Sequence, residues 1–221
     1  MSEVAPDPAA TPPQSVRVVN LPNALTVLRL AVVPVFAVLL LSDGGTDESQ
    51  RYWATLFFAL AIITDRYDGM IARRTGQVTE FGKLADPIAD KALTGSALIA
   101  LSVLSLVAWW VTLAILVREV GVTLLRFWVI RHGVIAASRG GKAKTVVQAL
   151  AIGLYILPLD GVLASARWWV MAVALVLTIV TGVDYVYRAL TLRRTSARAM
   201  RDAAARRAAG PSGGPRTDAA A

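Results

Sequence analysis

Four aspartates lie between residues 65 and 90, in a stretch whose flanks are apolar enough to lie in lipid. They fall on two stripes at helical spacing, so the members of each stripe share one face of a helix. The first stripe comprises Asp65, Asp68, Gly69 and Ala72, and the second comprises Gly82, Asp86 and Asp90. If the two faces meet, four carboxylates converge. Their mutual repulsion is tolerable only if some are protonated or if cations lie among them.

The available ligand atoms limit the choice of metal. Carboxylate oxygens without His or Cys favour Mg²⁺, Mn²⁺ or Ca²⁺ over zinc, and the chain has no cysteine. Three or four carboxylates that hold two such ions are suited to phosphoryl displacement. The glycines and the alanine on the two stripes would let a ligand approach closely. Their alternative role is helix packing, which small residues also favour in membranes.

The elements that must position these residues are membrane helices. Of the 221 residues, 56% are hydrophobic and only 17% are charged, a composition typical of membrane proteins. Apolar segments near the roughly 20 residues that a bilayer core requires fall at 22–41, 52–74, 82–106, 109–131, 144–163 and 168–192. We therefore predict an all-α integral membrane protein with six transmembrane helices. The third and fourth helices should be separated by a tight turn within "SLVAWW".

The membrane domain is predicted to extend from residue 17 to residue 194. Residues 1–16 are rich in proline and alanine and are predicted to form a disordered cytoplasmic tail. Residues 195–221 are basic and are predicted to form a disordered tail, with a short basic helix on the anionic inner leaflet as the alternative.

The distribution of charge predicts the orientation of the helices. Of the 23 Lys and Arg residues, only Arg51 and Arg167 fall in the connections after helices one, three and five, so both termini are expected in the cytoplasm. Aromatic residues cluster at the expected outer ends, namely Tyr52, Trp53, Trp109, Trp110, Trp168 and Trp169. The inner halves of helices two, three and four carry charges, which indicates a polar cavity at the cytoplasmic side. The net charge of +8 thus follows membrane topology, and no nucleic-acid partner is expected.

The string "DRYDGMIARRTGQVTEFGKLADPIAD" has the pattern D-x-x-D-G-x-x-A-R, eight residues, then G-x-x-x-D-x-x-x-D. This pattern resembles the signature of the CDP-alcohol phosphatidyltransferase family. The stretches "NLPNALTVLRL", "LVREVGVTLLR" and "GKAKTVVQ" resemble the phosphatidylglycerophosphate synthase branch of that family. The resemblance covers roughly residues 20–190 and leaves both tails outside it.

The resemblance implies chemistry at a two-metal site. Asp65, Asp68 and Asp86 would hold two divalent cations, Mg²⁺ or Mn²⁺. Asp90 would be the catalytic base and would also lie near a metal. The pocket for the CDP-linked lipid would be lined by Asp68, Gly69, Ala72, Arg73 and Gly82. Arg73 would bind the diphosphate, and its alternative is an arginine that snorkels at a helix end.

An acceptor alcohol that carries a phosphate would need a separate basic pocket. The candidates are Arg118, Arg126, Arg139, Lys142, Lys144 and Thr145. Lys142, Lys144 and Thr145 begin a helix, where amide dipoles and ammonium groups can jointly hold a phosphate. The alternative for Arg118 is a buried ion pair. Adjacent residues do not face each other on a helix, so a simple pair with Glu119 is not expected. The family resemblance also places Asn23, Thr26 and Arg29 near the mouth of the site.

The resulting hypothesis is an enzyme of the bacterial inner membrane whose active site faces the cytoplasm. It would transfer the phosphatidyl group from CDP-diacylglycerol to glycerol 3-phosphate and release CMP. A homodimer surrounded by membrane lipids is expected from the resemblance. The alternative within the family is a phosphatidylinositol phosphate synthase or another CDP-alcohol phosphatidyltransferase. The alternative from another class is a divalent-cation transporter, which would be expected to show repeated halves and a site at mid-membrane.

Overall fold

The computed structural model describes residues 20–75, 79–129 and 139–208. Within these ranges the chain is helical and contains no strand, as predicted. The helices are α1 (Leu21–Leu41), α2 (Glu48–Thr75), α3 (Glu80–Val103), α4 (Trp109–Val129), α5 (Arg139–Ile156) and α6 (Gly161–Ala208). A short 3₁₀ turn, Ser42–Gly45, follows α1. The predicted tail 1–16 lies outside the described residues.

The boundaries of α5 differ from the predicted span at both ends. The predicted segment 144–163 is a helix only to Ile156 and begins earlier, at Arg139. Its end is explained by Pro158, which has no backbone N–H and disfavours helical geometry in the residue before it. The predicted tight turn between α3 and α4 is present at residues 104–108, where Ser105 adopts a left-handed φ of 58°.

Helix α6 continues well past the predicted end of the membrane domain. It reaches Ala208, so the predicted disorder of the tail from residue 195 is wrong for 195–208. This stretch consists mainly of alanine and arginine, both strong helix formers, whereas glycine and proline first appear at Gly210 and Pro211. Residues 209–221 lie outside the described part of the chain.

Among the residues that the structure describes, two segments are long and apolar enough to cross a membrane, Leu21–Gly45 and Gly161–Arg193. Apart from Arg29 on α1, the charged residues that the sequence assigns to the site lie on the other helices. Large apolar side chains are exposed along α1 and α6, including Val38 at 67% and Val162 at 86%. Such surfaces are typical of a membrane protein. The six spans and the cytoplasmic location of both termini remain predictions.

The chain divides into two compact units. Of the described residues, the first unit contains those up to Thr112 together with Ala149–Trp168, and the second contains those from Leu113 to Gln148 together with 169–208. In the first unit, α1 packs along both α2 and α3, which contact each other much less. The ring centroids of Phe36 and Phe58 lie 5.7 Å apart in the core between α1 and α2. Helix α1 is therefore the element that bridges the two helices of the aspartate motif.

Arg51 and Arg167, the two arginines that depart from the positive-inside pattern, both contact residues at the end of α5, within the first unit. Arg51 donates from Nε to the Ile156 carbonyl at 2.9 Å. Its Nη2 donates to the carbonyls of Tyr155 at 2.8 Å and Leu157 at 3.1 Å. The guanidinium of Arg167 lies 5.1 Å from the centre of the Tyr155 ring. Since the last carbonyls of a helix have no partner within it, Arg51 has a structural reason to be there. The contact of Arg167 is with the aromatic ring of Tyr155 in the same turn.

Candidate active site

The site in the first unit begins with a polar face on α1. Asn20 caps this helix, accepting a hydrogen bond of 2.9 Å from the Asn23 backbone N–H. Asn23, Thr26 and Arg29 follow at intervals of three residues, and all three are buried, with Arg29 only 2% exposed. Buried polar groups need partners in an apolar environment. The partners of these side chains lie on the motif helices.

Arg29 and Thr26 hold one aspartate each. Arg29 donates from Nη1 to Oδ1 of Asp65 on α2 and forms an ion pair with it. The Thr26 hydroxyl donates to Oδ1 of Asp86 on α3 at 2.6 Å. One face of α1 thus fixes the carboxylates of both stripes, which explains why these residues lie in an otherwise apolar helix.

The start of α3 is fixed by the same face of α1. Thr79 caps α3 by accepting a hydrogen bond of 3.0 Å from the Gly82 N–H, and its hydroxyl donates to Oδ1 of Asn23 at 2.9 Å. A Cβ at Gly82 would lie 2.9 Å from this Asn23 oxygen and 3.2 Å from the Thr79 hydroxyl. The glycine is therefore required by the close approach of Asn23, a reason more specific than the room for a ligand that the sequence suggested.

The predicted convergence of the carboxylates is present in part. Asp86 and Asp90 both act electrostatically on the carboxylate of Asp65. Asp90 also pairs with Lys91 at 3.1 Å, and both side chains are partly exposed. Gly69 is partly buried on α2. The side chains of Asp68, Ala72 and Arg73 lie outside the described part of the structure.

No group of three or more His, Cys, Asp or Glu side chains forms a ready metal site among those described, which exclude Asp68. The donors that are described, the oxygens of Asp65, Asp86 and Asp90, are hard ligands. They fit Mg²⁺ or Mn²⁺ by their chemistry. Arg29 places a positive charge next to one of these carboxylates, that of Asp65.

The second unit contains a buried charged group, the Glu119 cluster, which consists of Arg118, Glu119, Lys144 and Thr181. Lys144 of α5 donates from Nζ to Glu119 Oε1. Arg118 donates from Nη1 to the same oxygen at 3.0 Å and from Nη2 to the Thr181 hydroxyl at 2.9 Å. The side chains of Glu119 and Lys144 are 7% and 4% exposed.

The expectation that Arg118 would not pair with its neighbour Glu119 is wrong. The rule that adjacent residues point apart applies to the Cβ directions, whereas the long arginine side chain can bend back to a carboxylate that Lys144 already holds in place. Gly182 on α6 gives it room, because a Cβ there would lie 3.0 Å from Arg118 Cγ.

Among the predicted acceptor-phosphate residues whose side chains the structure describes, Arg118 and Lys144 belong to this cluster. Arg126, Lys142 and Thr145 are exposed, and the Thr145 hydroxyl donates to the Gly141 carbonyl at 3.1 Å. The side chain of Arg139 lies outside the described part of the structure.

Glu119 is a member of the cluster that the sequence alone does not assign to a site. Its position next to Arg118, where a long uncharged run ends, could have identified it, because an acidic side chain in an apolar segment needs a cation nearby.

Comparison with known proteins agrees with the motif. A sequence model described as CDP-alcohol phosphatidyltransferase matches residues 19–180. A Mycobacterium tuberculosis protein named "Probable phosphatidylglycerophosphate synthase" is 59% identical over 174 residues, which is 79% of this chain and 83% of the relative. The "CDP-diacylglycerol--glycerol-3-phosphate 3-phosphatidyltransferase" of Bacillus subtilis is 36% identical over 190 residues, covering 80% of this chain and 98% of the relative.

A protein of the same name from Rickettsia felis is 39% identical over 174 residues, which is 75% of this chain and 93% of the relative. The family match includes the aspartate motif, the polar face of α1 and the Glu119 cluster except for Thr181. The chain belongs to the CDP-alcohol phosphatidyltransferase family.

Proposed function

We propose that the protein is a phosphatidylglycerophosphate synthase, which transfers the phosphatidyl group from CDP-diacylglycerol to glycerol 3-phosphate. The names of relatives with up to 59% identity support this acceptor. The structural observation that carries the proposal is the buried polar face of α1, which holds the carboxylates of Asp65 and Asp86 through Arg29 and Thr26.

The chemistry requires a base and a neutralised diphosphate. Asp65, Asp68, Asp86 and Asp90 would hold two divalent cations, which would neutralise and polarise the diphosphate when bound. The acceptor hydroxyl oxygen attacks the phosphorus nearer the diacylglycerol, and the bond from this phosphorus to the CMP oxygen breaks. Asp90 accepts the proton of that hydroxyl, and CMP leaves. The partial exposure of its side chain is compatible with access by a soluble acceptor.

The lipid nucleotide would be bound by residues of the same motif. Gly69, Ala72 and Gly82 add little bulk, and Arg73 would pair with the diphosphate. Asp68 would act on the diphosphate through the cation that it would hold. In this role Gly82 would keep the start of α3 close to Asn23, so that the backbone at the entrance to the pocket is fixed.

The Glu119 cluster is the proposed site of the acceptor phosphate. Its members carry two cations and one carboxylate, a formal net charge of +1, in a segment predicted to lie in the membrane. Net charge at that depth is costly, so an anion would be favoured there. Arg126, Arg139, Lys142 and Thr145 would contribute at the rim of the site, where positive charge attracts an anionic substrate.

The proposed setting is the bacterial inner membrane, with six spans, both termini in the cytoplasm and the active site on that side. A homodimer is part of the proposal. The exposed aromatic residues at the starts of α2 and α4, such as Trp53 and Trp110, support this orientation. Membership of a transferase family gives no support to the cation-transporter alternative.

The test is a purified-protein assay with CDP-diacylglycerol, Mg²⁺ or Mn²⁺, and either glycerol 3-phosphate or inositol phosphate. We expect CMP release and phosphatidylglycerophosphate with the first acceptor, and loss of both products in Asp86→Asn. Formation of phosphatidylinositol phosphate instead would assign the alternative within the family. Turnover that persists after metal chelation would contradict the two-metal chemistry.

A further inference from the structure

Gln148 is a buried polar residue of the second unit to which the proposed reaction gives no role. It is 4% exposed. Among the described residues, its carbonyl oxygen Oε1 has no hydrogen-bond partner. A buried carbonyl without a donor costs free energy, and in a membrane no water is available to replace the donor. Gln148 can therefore accept one hydrogen bond from a ligand.

The position of Gln148 indicates which part of a ligand it would meet. It follows Lys144 by one turn of α5, so the two side chains share a helix face. Lys144 is bound in the Glu119 cluster, the proposed site of the acceptor phosphate. A ligand whose phosphate lies at Lys144 would present to Gln148 a group displaced by about one helical turn, ~5.4 Å.

Glycerol 3-phosphate has such a group. Its secondary hydroxyl lies on the carbon next to the one that carries the phosphate ester, and it is a hydrogen-bond donor. A carboxamide oxygen can only accept, so it would select a donor at this place. The primary hydroxyl remains available for the attack on phosphorus.

We propose that Gln148 Oε1 accepts a hydrogen bond from the secondary hydroxyl of glycerol 3-phosphate and thereby determines specificity for this acceptor. The inference rests on the proposed function, because it assumes that the acceptor phosphate occupies the Glu119 cluster. An acceptor without the secondary hydroxyl leaves the buried oxygen unpaired, and a site of this kind discriminates strongly against it.

The test compares two acceptors in wild type and variants. The second acceptor is 3-hydroxypropyl phosphate, which keeps the phosphate and the primary hydroxyl but lacks the secondary one. We expect wild type to prefer glycerol 3-phosphate in kcat/KM by about tenfold or more. Gln148→Leu and the nearly isosteric Gln148→Met should lose this preference, mainly through a raised KM for glycerol 3-phosphate. Val146→Ala, at a position 64% exposed on the same helix, should keep it.

Two further measurements separate this role from a structural one. Inhibition by inorganic phosphate should be unchanged in Gln148→Leu, because the Glu119 cluster is intact. The thermal unfolding temperature should be equal to or higher than that of wild type, since an unpaired polar atom has been removed from an apolar environment.

Retention of the wild-type preference in both Gln148 variants would overturn the inference. An equal loss of kcat/KM with both acceptors would also overturn it, because Gln148 would then not discriminate between acceptors by their secondary hydroxyl. Failure of the proposed function is a different result: wild type itself would form no lipid product from glycerol 3-phosphate.

Discussion

Thr26 of α1 donates a hydrogen bond of 2.6 Å to Oδ1 of Asp86 on α3, although the two residues are 60 positions apart in the sequence. The hydroxyl also lies 3.1 Å from the Pro22 carbonyl, the acceptor one turn earlier in the same helix. Thr26 is 1% exposed. A buried hydroxyl that makes this bond restricts the rotamers of Asp86, and Asp86 is a proposed metal ligand.

Replacement of Thr26 by Val should therefore reduce turnover. The substitution keeps the side-chain shape and removes a hydrogen bond to a charged group, worth about 1.5–3 kcal/mol. We expect activity to fall about tenfold to a hundredfold, with a higher Mg²⁺ concentration needed for half-maximal rate. Steady-state kinetics over a Mg²⁺ titration measures both effects. Thr26→Ser retains the hydroxyl and is the matched control. Equal activity of Thr26→Val and Thr26→Ser would contradict the role of the Thr26 hydroxyl in positioning Asp86.

The stripes of aspartates could be recognised from the sequence because helical spacing is a local property. The family resemblance placed Thr26 and Arg29 near the mouth of the site, but spacing alone shows them, like Glu119, only as polar residues in apolar segments. Their partners depend on which helices are neighbours, and periodicity does not encode this. The bent Arg118 side chain was mispredicted for the same reason, since Lys144 on another helix fixes the carboxylate that it meets.

Arg29 should stabilise the protein most when no metal is present. In Arg29→Gln, Asp65 loses its cationic partner, and the free energy of unfolding should fall by about 2 kcal/mol. Because Mg²⁺ would then neutralise a carboxylate that has lost this arginine, added Mg²⁺ should raise the Tm of this variant more than that of wild type. The expected difference is about 2–4 °C for each kcal/mol. Thermal unfolding with and without Mg²⁺ measures it. Arg29→Lys, which keeps the charge, should behave more like wild type. If added Mg²⁺ raised the Tm of wild type, Arg29→Gln and Arg29→Lys by the same amount, Arg29 would not be the residue that stabilises Asp65 in the absence of metal.

Gly82→Ala should be destabilising although alanine favours helices. The new Cβ would lie 2.9 Å from Asn23 Oδ1 and 3.2 Å from Thr79 Oγ1, so the bond between these side chains must shift. Overpacking of this kind costs about 1–3 kcal/mol. Gly121→Ala is the matched control, because a Cβ there has no neighbour within 4 Å among the described residues. That variant should be neutral or up to about 1 kcal/mol more stable. Chemical or thermal unfolding of the two variants side by side tests the comparison. A Gly82→Ala protein as stable as Gly121→Ala would show that Asn23 does not approach the glycine closely.

The effects of Glu119→Gln and Lys144→Met on stability should be non-additive, because the two side chains pair within the Glu119 cluster. Glu119→Gln leaves the buried Lys144 and the partly buried Arg118 without their carboxylate, and loss of one partner of a buried pair costs about 3–5 kcal/mol. Lys144→Met leaves Glu119 with Arg118 as its remaining partner in the cluster. The double variant removes one charge of each sign, so its stability should recover substantially. Its KM for glycerol 3-phosphate should nevertheless stay raised, because a phosphate-binding cation is missing. Unfolding and acceptor kinetics on the four proteins separate the two roles. Recovery of both stability and KM would mean that Lys144 serves only as the partner of Glu119.

Arg51 should contribute to stability without affecting the chemistry. Its guanidinium donates to three carbonyls at the end of α5, at 2.8–3.1 Å, and Lys cannot reproduce this planar arrangement. Both Arg51→Met and Arg51→Lys should therefore lower the free energy of unfolding by about 1–3 kcal/mol, the lysine less. The KM values for both substrates should be unchanged, because the contacts of Arg51 are to the backbone of α5 rather than to the aspartate motif.

The matched control for Arg51 is Arg188→Met. Arg188 forms an exposed pair with Asp184 at 2.9 Å, one helical turn away. Exposed pairs of this type contribute about 0.3–0.5 kcal/mol, so this variant should unfold almost as wild type does. Thermal unfolding of the Arg51 and Arg188 variants in the same detergent makes the comparison direct. If Arg51→Met were as stable as Arg188→Met, the carbonyls at the end of α5 would have to be satisfied without it. If Arg51→Met instead raised the KM for glycerol 3-phosphate, Arg51 would belong to the substrate site. Capping of α5 could then no longer explain why this arginine lies in a predicted outer connection.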